Sequence, residues 1–233
     1  VCETVASCGD LPAAVGRGRQ RFETVATDRS VPKPVIGLVG EFYVRLSDFS
    51  NQNLIAKIEA LGGECWMAPA YEWFLYRNFR RDMRSRQTGD WGIVLKTKGM
   101  DYVMRMDEHR LQSAFDGFLR NAHEPPTELV LKYAEPYVHK TFEGEAIMTV
   151  GKAIDFARKG LSGVASVMPF TCMPGTISLA LMKRVRNDEN EIPFLNMVYD
   201  GLEQSTAQTR LEAFMYQARE YMEQQKAVTR GVH

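Results

Sequence analysis

The alternation of short apolar runs with amphipathic helical segments is the feature that most limits what this chain can fold into. The runs VIGLVGEFYVR, ECWMAP, SGVASVMPF and IPFLNMVYDG have the apolar content of buried strands. Strands that alternate with helices favour a parallel sheet, because each helical crossover returns the chain to the same end of the sheet. The sequence therefore predicts an α/β fold, a doubly wound, mostly parallel sheet with helices on both faces.

The segments between these runs have helical spacing. SDFSNQNLIAKIEALGG predicts a helix that Ser50 or Asn51 caps at its start and Gly62 ends. GEAIMTVGKAIDFARKG predicts a second helix, with one apolar face made by Ala146, Ile147, Val150, Ala153, Ile154 and Ala157. TISLALMKRVRNDENE and TRLEAFMYQAREYMEQQK predict two more. We expect the carboxyl ends of all strands to share one edge, where ligands bind near the reversal of strand order.

Two parts of the chain depart from this rhythm. Residues 1–33 contain VGRGRQR and DRSVPKP and predict a loosely organised lead-in or linker. Within the α/β domain, which we place at 34–228, residues from about 70 to 140 carry aromatic and arginine-rich helical patterns around a weaker apolar stretch, GIVLK. We expect this region to be a mostly helical insertion.

Charge and cysteine usage exclude several classes of protein. Lys+Arg and Asp+Glu both total 29, so no net charge attracts nucleic acid or an anionic membrane. No apolar run approaches the roughly 18 residues of a membrane span. The 4 cysteines form no C-x-x-C pair, which indicates a reducing, cytoplasmic setting. Because residue 1 is valine, we expect the chain to be a piece of a longer protein.

Cys172 lies in PFTCMPGT, between a strand run and a helical pattern. The positive end of a helix dipole and unpaired N–H groups favour a thiolate there, which suits metal binding or nucleophilic chemistry. Pro174 restricts the turn and Gly175 allows close approach of the backbone, and with Thr176 they are candidate cofactor-binding residues. A buried cysteine that packs as a small apolar residue is the alternative, and the local pattern leaves both open.

Other residues carry weaker patterns. Glu41 follows the first strand, where it fits a cofactor-binding or general-base residue as well as a cap for the next segment. GLVGE lacks the G-x-G-x-x-G spacing of a dinucleotide fingerprint. Asp200-Gly201 fits an ordinary turn, and Cys65 in the second strand fits core packing. We assign no role to Cys2 and Cys8, which form a C-x5-C pair, or to His109, His123, His139 and His233.

Arginines crowd one short stretch of the insertion, among aromatic residues: Arg77, Arg80, Arg81, Arg84 and Arg86. Guanidinium groups fit phosphate oxygens and stack on aromatic rings. Arg80 and Arg81 are therefore candidates for binding a nucleotide-like tail such as that of coenzyme A. A partner's acidic face or a solvated helix surface explains the same pattern.

Five blocks, in chain order, carry a family resemblance: VIGLVGEFYVRLSDFSNQNL, MAPAYEW, GEAIMTVGKAI, PFTCMPGT and YDGLEQSTAQTRLEAF. They resemble activator-related proteins of the 2-hydroxyacyl-CoA dehydratase system. More narrowly, they resemble the dehydratase-subunit-like region of large CoA-enzyme activases of anaerobic bacteria. The resemblance runs from about residue 33 to about residue 225.

The resemblance implies a doubly wound α/β domain related to subunits that carry [4Fe–4S] clusters on cysteines. In that family the cysteine of the CMPGT block is a candidate cluster ligand, here Cys172. One thiolate is not a full ligand set, and the family's other cysteine motifs lie upstream of the region covered. The actin-like ATPase domains of related activases have no counterpart in this chain.

The implied function is one-electron transfer in the reductive activation of a CoA-thioester dehydratase, with a dehydratase or activase domain or subunit as partner. The alternative is a non-catalytic α/β domain that binds coenzyme A or a partner. A dehydratase-like enzyme is less favoured, because the sequence shows no acid–base pair. Whether the chain is an enzyme, and whether it forms a homo-oligomer, stay open.

Overall fold

The structure is a computed structural model, and it describes residues 10–28, 30–119, 124–200 and 206–231. Nine helices and four strands are found in this part of the chain. In chain order they are α1 (Leu11–Glu23), β1 (Val35–Gly40), α2 (Phe42–Leu46), α3 (Leu54–Ala60), β2 (Glu64–Met67), α4 (Glu72–Thr88), α5 (Trp91–Ser113), α6 (Thr127–Ala134), α7 (Ala146–Arg158), β3 (Gly163–Pro169), α8 (Met173–Asp188), β4 (Phe194–Tyr199) and α9 (Ala207–Gly231).

The strands form one sheet in the order β2-β1-β3-β4, and every pairing is parallel. Val35 pairs with Glu64 at the start of β2, and Ile36 pairs with Gly163 at the start of β3. The predicted α/β class and the parallel sheet are therefore confirmed, and all carboxyl ends of the strands lie on one edge.

The chain divides into two compact units. Unit 1 comprises Val1–Val31 and Tyr71–Thr127, and unit 2 comprises Pro32–Ala70 and Glu128–His233. Unit 1 contains the core of the predicted insertion, but it ends at Thr127 rather than near residue 140. It also contains α1, a helix inside the predicted lead-in, which begins where the Asp10 carboxylate accepts a hydrogen bond from the Ala13 N–H at 3.1 Å.

In unit 2, the two faces of the sheet carry different helices. Ile36 and Leu38 join a buried cluster with residues of α3 and α9. The residue between them, Gly37, faces the other way, where an added Cβ would collide with the ring of Phe156 on α7. Because neighbouring strand residues point to opposite faces, this alternation shows that helices cover both sides. The sheet is therefore doubly wound, as predicted.

Helix α7 is the most enclosed helix of unit 2. Every residue from Ala146 to Phe156 is buried, polar ones included. The sheet lies against one side of the helix, α8 contacts another, and at Gly151 the backbone of Val130 in α6 comes so close that a Cβ would overlap its carbonyl oxygen. The predicted apolar face is thus only part of what the fold buries.

Several predicted boundaries are wrong, each for a local reason. Strand β1 ends at Gly40, in agreement with the prediction that Glu41 follows the first strand, but FYVRL in the same apolar run forms a short helix, α2, after Gly40 with its φ of +110°. GIVLK is part of α5 rather than a separate apolar stretch. Helix α8 begins at Met173, so Pro174 belongs to its first turn. Gly62 ends α3 as predicted, with a φ of +80°.

Unit 1 is built around an antiparallel pair of helices. Gly89, with a φ of +75°, ends α4, and the Asp90 carboxylate caps α5 by accepting from the Ile93 N–H at 3.1 Å. Polar contacts join the two helices along their length: Tyr71 OH donates to Glu108, and Asn78 Nδ2 donates to Met104 Sδ at 3.4 Å. The helical character predicted for the insertion is confirmed.

Candidate functional site

The sheet order places a topological switch point between β1 and β3. From β1 the chain moves outward to β2, and from β3 it moves outward to β4 on the opposite side. The loops that leave β1 and β3 therefore diverge and open a crevice at their carboxyl ends, which is where open α/β sheets bind ligands. Glu41 follows β1 and Cys172 follows β3, so both candidate residues flank this crevice.

At the end of β1, the backbone of Gly40 passes directly against β3. A Cβ at this position would overlap the Val167 carbonyl oxygen, which accepts a hydrogen bond from the Glu41 N–H at 2.8 Å. The Glu41 carboxylate accepts from the Val44 N–H at 2.7 Å and so caps α2. The geometry accounts for the cap role of Glu41, and its roles in cofactor binding or as a general base stay predictions.

After β3, a tight turn presents Cys172 as the N-cap residue of α8. Thr171 adopts a φ of +64°, uncommon for a β-branched residue, and the Cys172 N–H donates to the Pro169 carbonyl at 3.2 Å. The Cys172 carbonyl accepts from both the N–H and the hydroxyl of Thr176, each at 2.9 Å. The Cys172 side chain makes no cap hydrogen bond and is half-buried.

Gly175 has a packing role that its sequence context did not reveal. An added Cβ would lie 2.9 Å from the Cβ of Met168, a buried residue of β3. Glycine thus lets the first turn of α8 approach the strand. Contacts of Pro174, Gly175 and Thr176 with a cofactor stay predictions.

Glu145 is a residue of this site that the sequence reasoning missed. It precedes α7, its carboxylate accepts a hydrogen bond from the Phe42 N–H, and its neighbour Gly144 lies against Pro174. Burial and the nearby Glu41 carboxylate raise the pKa of Glu145, while Arg45 opposes the shift. Glu145 sits in the quoted block GEAIM, but that pattern predicted only a helix. The loops before α7 and after β1 and β3 therefore meet at the switch point.

We call the segments 40–53, 67–70, 143–145, 170–176 and 199–200 the C-terminal rim. Its acidic and basic residues are one arginine and five carboxylates: Glu41, Asp48, Glu143, Glu145 and Asp200. The cation of these segments, Arg45, is 9% exposed. An acidic rim repels a phosphate-rich ligand, so the charge here opposes binding of the tail of coenzyme A.

The thiol groups at the site fit one ligand position of an iron–sulfur cluster and not a complete cluster. Among the described residues, Cys172 and Cys65 are the free cysteines, and no group of three or more His, Cys, Asp or Glu side chains is arranged to hold a metal ion. Cys65 packs against the core, and burial together with Glu59 raises the pKa of its thiol to about 12. Its predicted core role therefore accounts for it. Cys2 and Cys8 lie outside the described residues.

The arginines of α4 divide into two groups. Arg77, Arg81 and Arg84 are exposed and follow Phe74 at helical spacing, so the four residues share one face of α4, which we call the basic face. Their guanidinium groups make no ion pair with any described residue. Arg80 is half-buried and lies off this face, whereas Arg86 pairs with Asp82 at 3.0 Å.

Unit 1 also holds a cavity of about 210 Å³. Its polar lining includes Glu108, which accepts from Tyr71 OH and from Gln112 Nε2 at 2.8 Å, together with Arg105 and His109. The cavity is smaller than the roughly 300 Å³ at which ligand pockets begin. The lining residue Glu108 already forms hydrogen bonds within unit 1, so we assign the cavity to the packing of its helices and not to ligand binding.

No helix within the described ranges has the length and apolar content that a membrane crossing requires. Comparison of the chain with family models, curated proteins and solved structures found no match. The resemblance to dehydratase activators therefore stays a prediction, and the function has to be argued from the residues of the site.

Proposed function

We propose that this chain is an iron–sulfur redox component of the kind that activates 2-hydroxyacyl-CoA dehydratases, with Cys172 as one thiolate ligand. The observation that carries the proposal is the position of Cys172, half-buried at the N-terminus of α8 and beside the switch point. Metal-bound thiolates favour such positions, since the helix dipole and backbone N–H groups stabilise their charge.

A bound cluster supplies one-electron transfer, and the described residues supply only one of its thiolates. The other ligands come from outside the described residues, from this chain or from a dehydratase or activase subunit. The protein backbone positions Cys172 through its hydrogen bonds with Pro169 and Thr176. A cytoplasmic, anaerobic setting belongs to the same proposal, because thiolate-bound clusters need a reducing compartment.

Anaerobic reconstitution with iron and sulfide tests the proposal. We expect the wild-type chain to bind iron and inorganic sulfide with a cluster absorption band, and Cys172→Ala to lose both. Cys65→Ala is the matched control and should retain them, because Cys65 is half-buried against the core and its raised pKa of about 12 disfavours the thiolate. A Cys172→Ala chain that takes up as much iron as wild type would contradict the proposal, and so would a wild-type chain that takes up no iron either alone or together with the dehydratase or activase subunit.

A second function, binding of coenzyme A, is supported by the basic face of α4. Three exposed guanidinium groups without described partners suit the phosphates of this ligand. We expect replacement of Arg77, Arg81 and Arg84 by alanine to abolish coenzyme A binding in calorimetry. Arg80→Ala, tested separately, shows whether the half-buried arginine contributes, and Arg86→Ala serves as the control. Unchanged affinity of the triple variant would exclude this function.

A further inference from the structure

Large apolar side chains are concentrated on the C-terminal rim of unit 2. Tyr43, Leu46 and Phe49 follow β1 and are 65%, 42% and 93% exposed. Phe170 and Met173 follow β3 and are 64% and 66% exposed. These two segments are neighbours, because α2 contacts β3. Other large apolar residues exposed in the described part of unit 2, Leu179 and Tyr216, lie on α8 and α9 and stand apart from one another in the chain.

Exposed apolar side chains that cluster in this way mark an interaction surface rather than ordinary surface composition. The rim segments carry five carboxylates and one arginine, Arg45, so their formal charge is negative. The surface that covers the rim therefore needs apolar or aromatic groups together with positive charge.

The basic face of α4 has this composition. Phe74 is 54% exposed, and Arg77, Arg81 and Arg84 continue the same face over three helical turns. Arginine and aromatic residues are enriched in protein interfaces, where guanidinium groups pair with carboxylates. The chain thus carries two surfaces of complementary charge, each with exposed aromatic residues.

We propose that copies of this chain associate head to tail, with the basic face of α4 in one copy bound to the C-terminal rim of the next. A symmetric dimer through either surface alone would place like charges opposite one another. Two different surfaces make a heterologous contact, so an open chain of copies keeps one unused surface at each of its two ends. The contact brings Phe74 to the apolar side chains of the rim and the arginines to its carboxylates. This inference does not depend on a cluster at Cys172.

Sedimentation of two variants, alone and mixed, tests the proposal. The first variant replaces Arg77, Arg81 and Arg84 by glutamate and keeps the rim intact. The second replaces Tyr43 and Phe49 by serine and keeps the basic face intact. We expect wild-type protein to associate as its concentration rises, and to associate less at high salt. For each variant alone, we expect the dissociation constant of self-association to be at least about tenfold higher than for wild type.

The mixture gives the sharpest outcome. Each variant retains the surface that the other lacks, so an equimolar mixture should form a heterodimer and no longer species. A control variant, Leu179→Ser with Tyr216→Ser, should associate like wild type, and circular dichroism checks that all variants are folded. A monomeric wild type, a rim variant that associates normally, or a mixture that fails to form the dimer would each overturn the proposal.

Discussion

The two units of this protein reach their folds by different means. In unit 2 a parallel sheet buries apolar side chains on both faces, and α7 is enclosed along most of its length. In the described part of unit 1, the buried apolar residues are Ala14, Leu75, Tyr76 and Val94. Unit 1 depends more on helix caps, on the hydrogen bond between Tyr71 and Glu108, and on ion pairs.

This difference in burial predicts where substitutions are tolerated. Close packing in unit 2 leaves little room for change near the switch point, whereas unit 1 exposes long stretches of its two main helices. The same contrast separates two kinds of binding surface. Unit 2 presents a crevice flanked by one thiol, and unit 1 presents exposed arginines on a helix.

The largest expected contrast is between two glycines. Gly40→Ala should lower the free energy of unfolding of unit 2 by about 4 kcal/mol or more, because Gly40 has a positive φ and a Cβ would overlap the Val167 carbonyl. Gly99→Ala in α5 should instead stabilise unit 1 by up to about 1 kcal/mol, since no atom lies within 4 Å of the added Cβ. Hydrogen exchange measured by mass spectrometry resolves the two units. Equal effects of both substitutions would contradict the contrast.

Ion pairs should show the next largest contrast. In unit 2, Lys152 Nζ lies 3.1 Å and Lys159 Nζ 2.9 Å from Asp155 Oδ2, at ion-pair distance although neither nitrogen is aligned as a hydrogen-bond donor to that oxygen. Lys152 is 2% exposed, so Lys152→Ala should cost about 3 kcal/mol by leaving Asp155 with one ammonium partner.

The matched pair in unit 1 is Arg19–Glu23, also on one helix and at 2.9 Å, but exposed to water. Glu23→Ala should cost less than about 1 kcal/mol, because water screens the charges. Chemical denaturation of both variants measures the difference. If both variants lost a similar amount of unfolding free energy, burial would not decide the strength of these ion pairs.

The smallest expected effect concerns the rim of unit 2 itself. Because the pKa of Glu145 is raised, the folded state favours its neutral form. The stability that this neutral carboxyl contributes is present in acid and is lost as the pH rises through the raised pKa. Glu145→Gln should therefore stabilise the protein at neutral pH relative to wild type and change little in acid.

Thermal unfolding at several pH values measures this difference. Glu220→Gln on α9 is the control for the change of carboxylate to amide, since Glu220 is exposed on the surface. A benefit of Glu145→Gln that is equal at all pH values would exclude the titration of Glu145 as its cause.

Local patterns predicted most of the elements but not their exact ends. The strand runs and the helices α3, α7, α8 and α9 follow from periodicity, which depends on residues close together in the chain. The helix α2 was missed because FYVRL has the composition of a strand, and its helical conformation depends on Gly40 and on the Glu41 cap. Helix α1 was missed because LPAAVGRGRQRFE is rich in arginine and glycine and low in overall hydrophobicity, which is typical of a loosely organised segment.

The candidate site was predicted in part for a similar reason. Cys172 and Glu41 could be placed at one edge of the sheet, because parallel strands carry their carboxyl ends together. Glu145 could not, since its position beside Glu41 depends on the packing of α7 against β1 and β3. The same packing buries Lys152, a residue that periodicity assigns to the solvent side of α7.

The sequence by itself determined the alternation of strands and helices, the parallel sheet and the position of Cys172 at the start of a helix. These follow from hydrophobic periods and from the handedness of βαβ connections. Only the tertiary structure decided the strand order β2-β1-β3-β4, the switch point, the meeting of Glu41 with Glu145 and the shared basic face of α4. Strand order, the switch point and the meeting of the two glutamates depend on contacts between residues far apart in the chain, and which arginines stay exposed depends on how α4 packs. No local pattern of residues encodes those contacts.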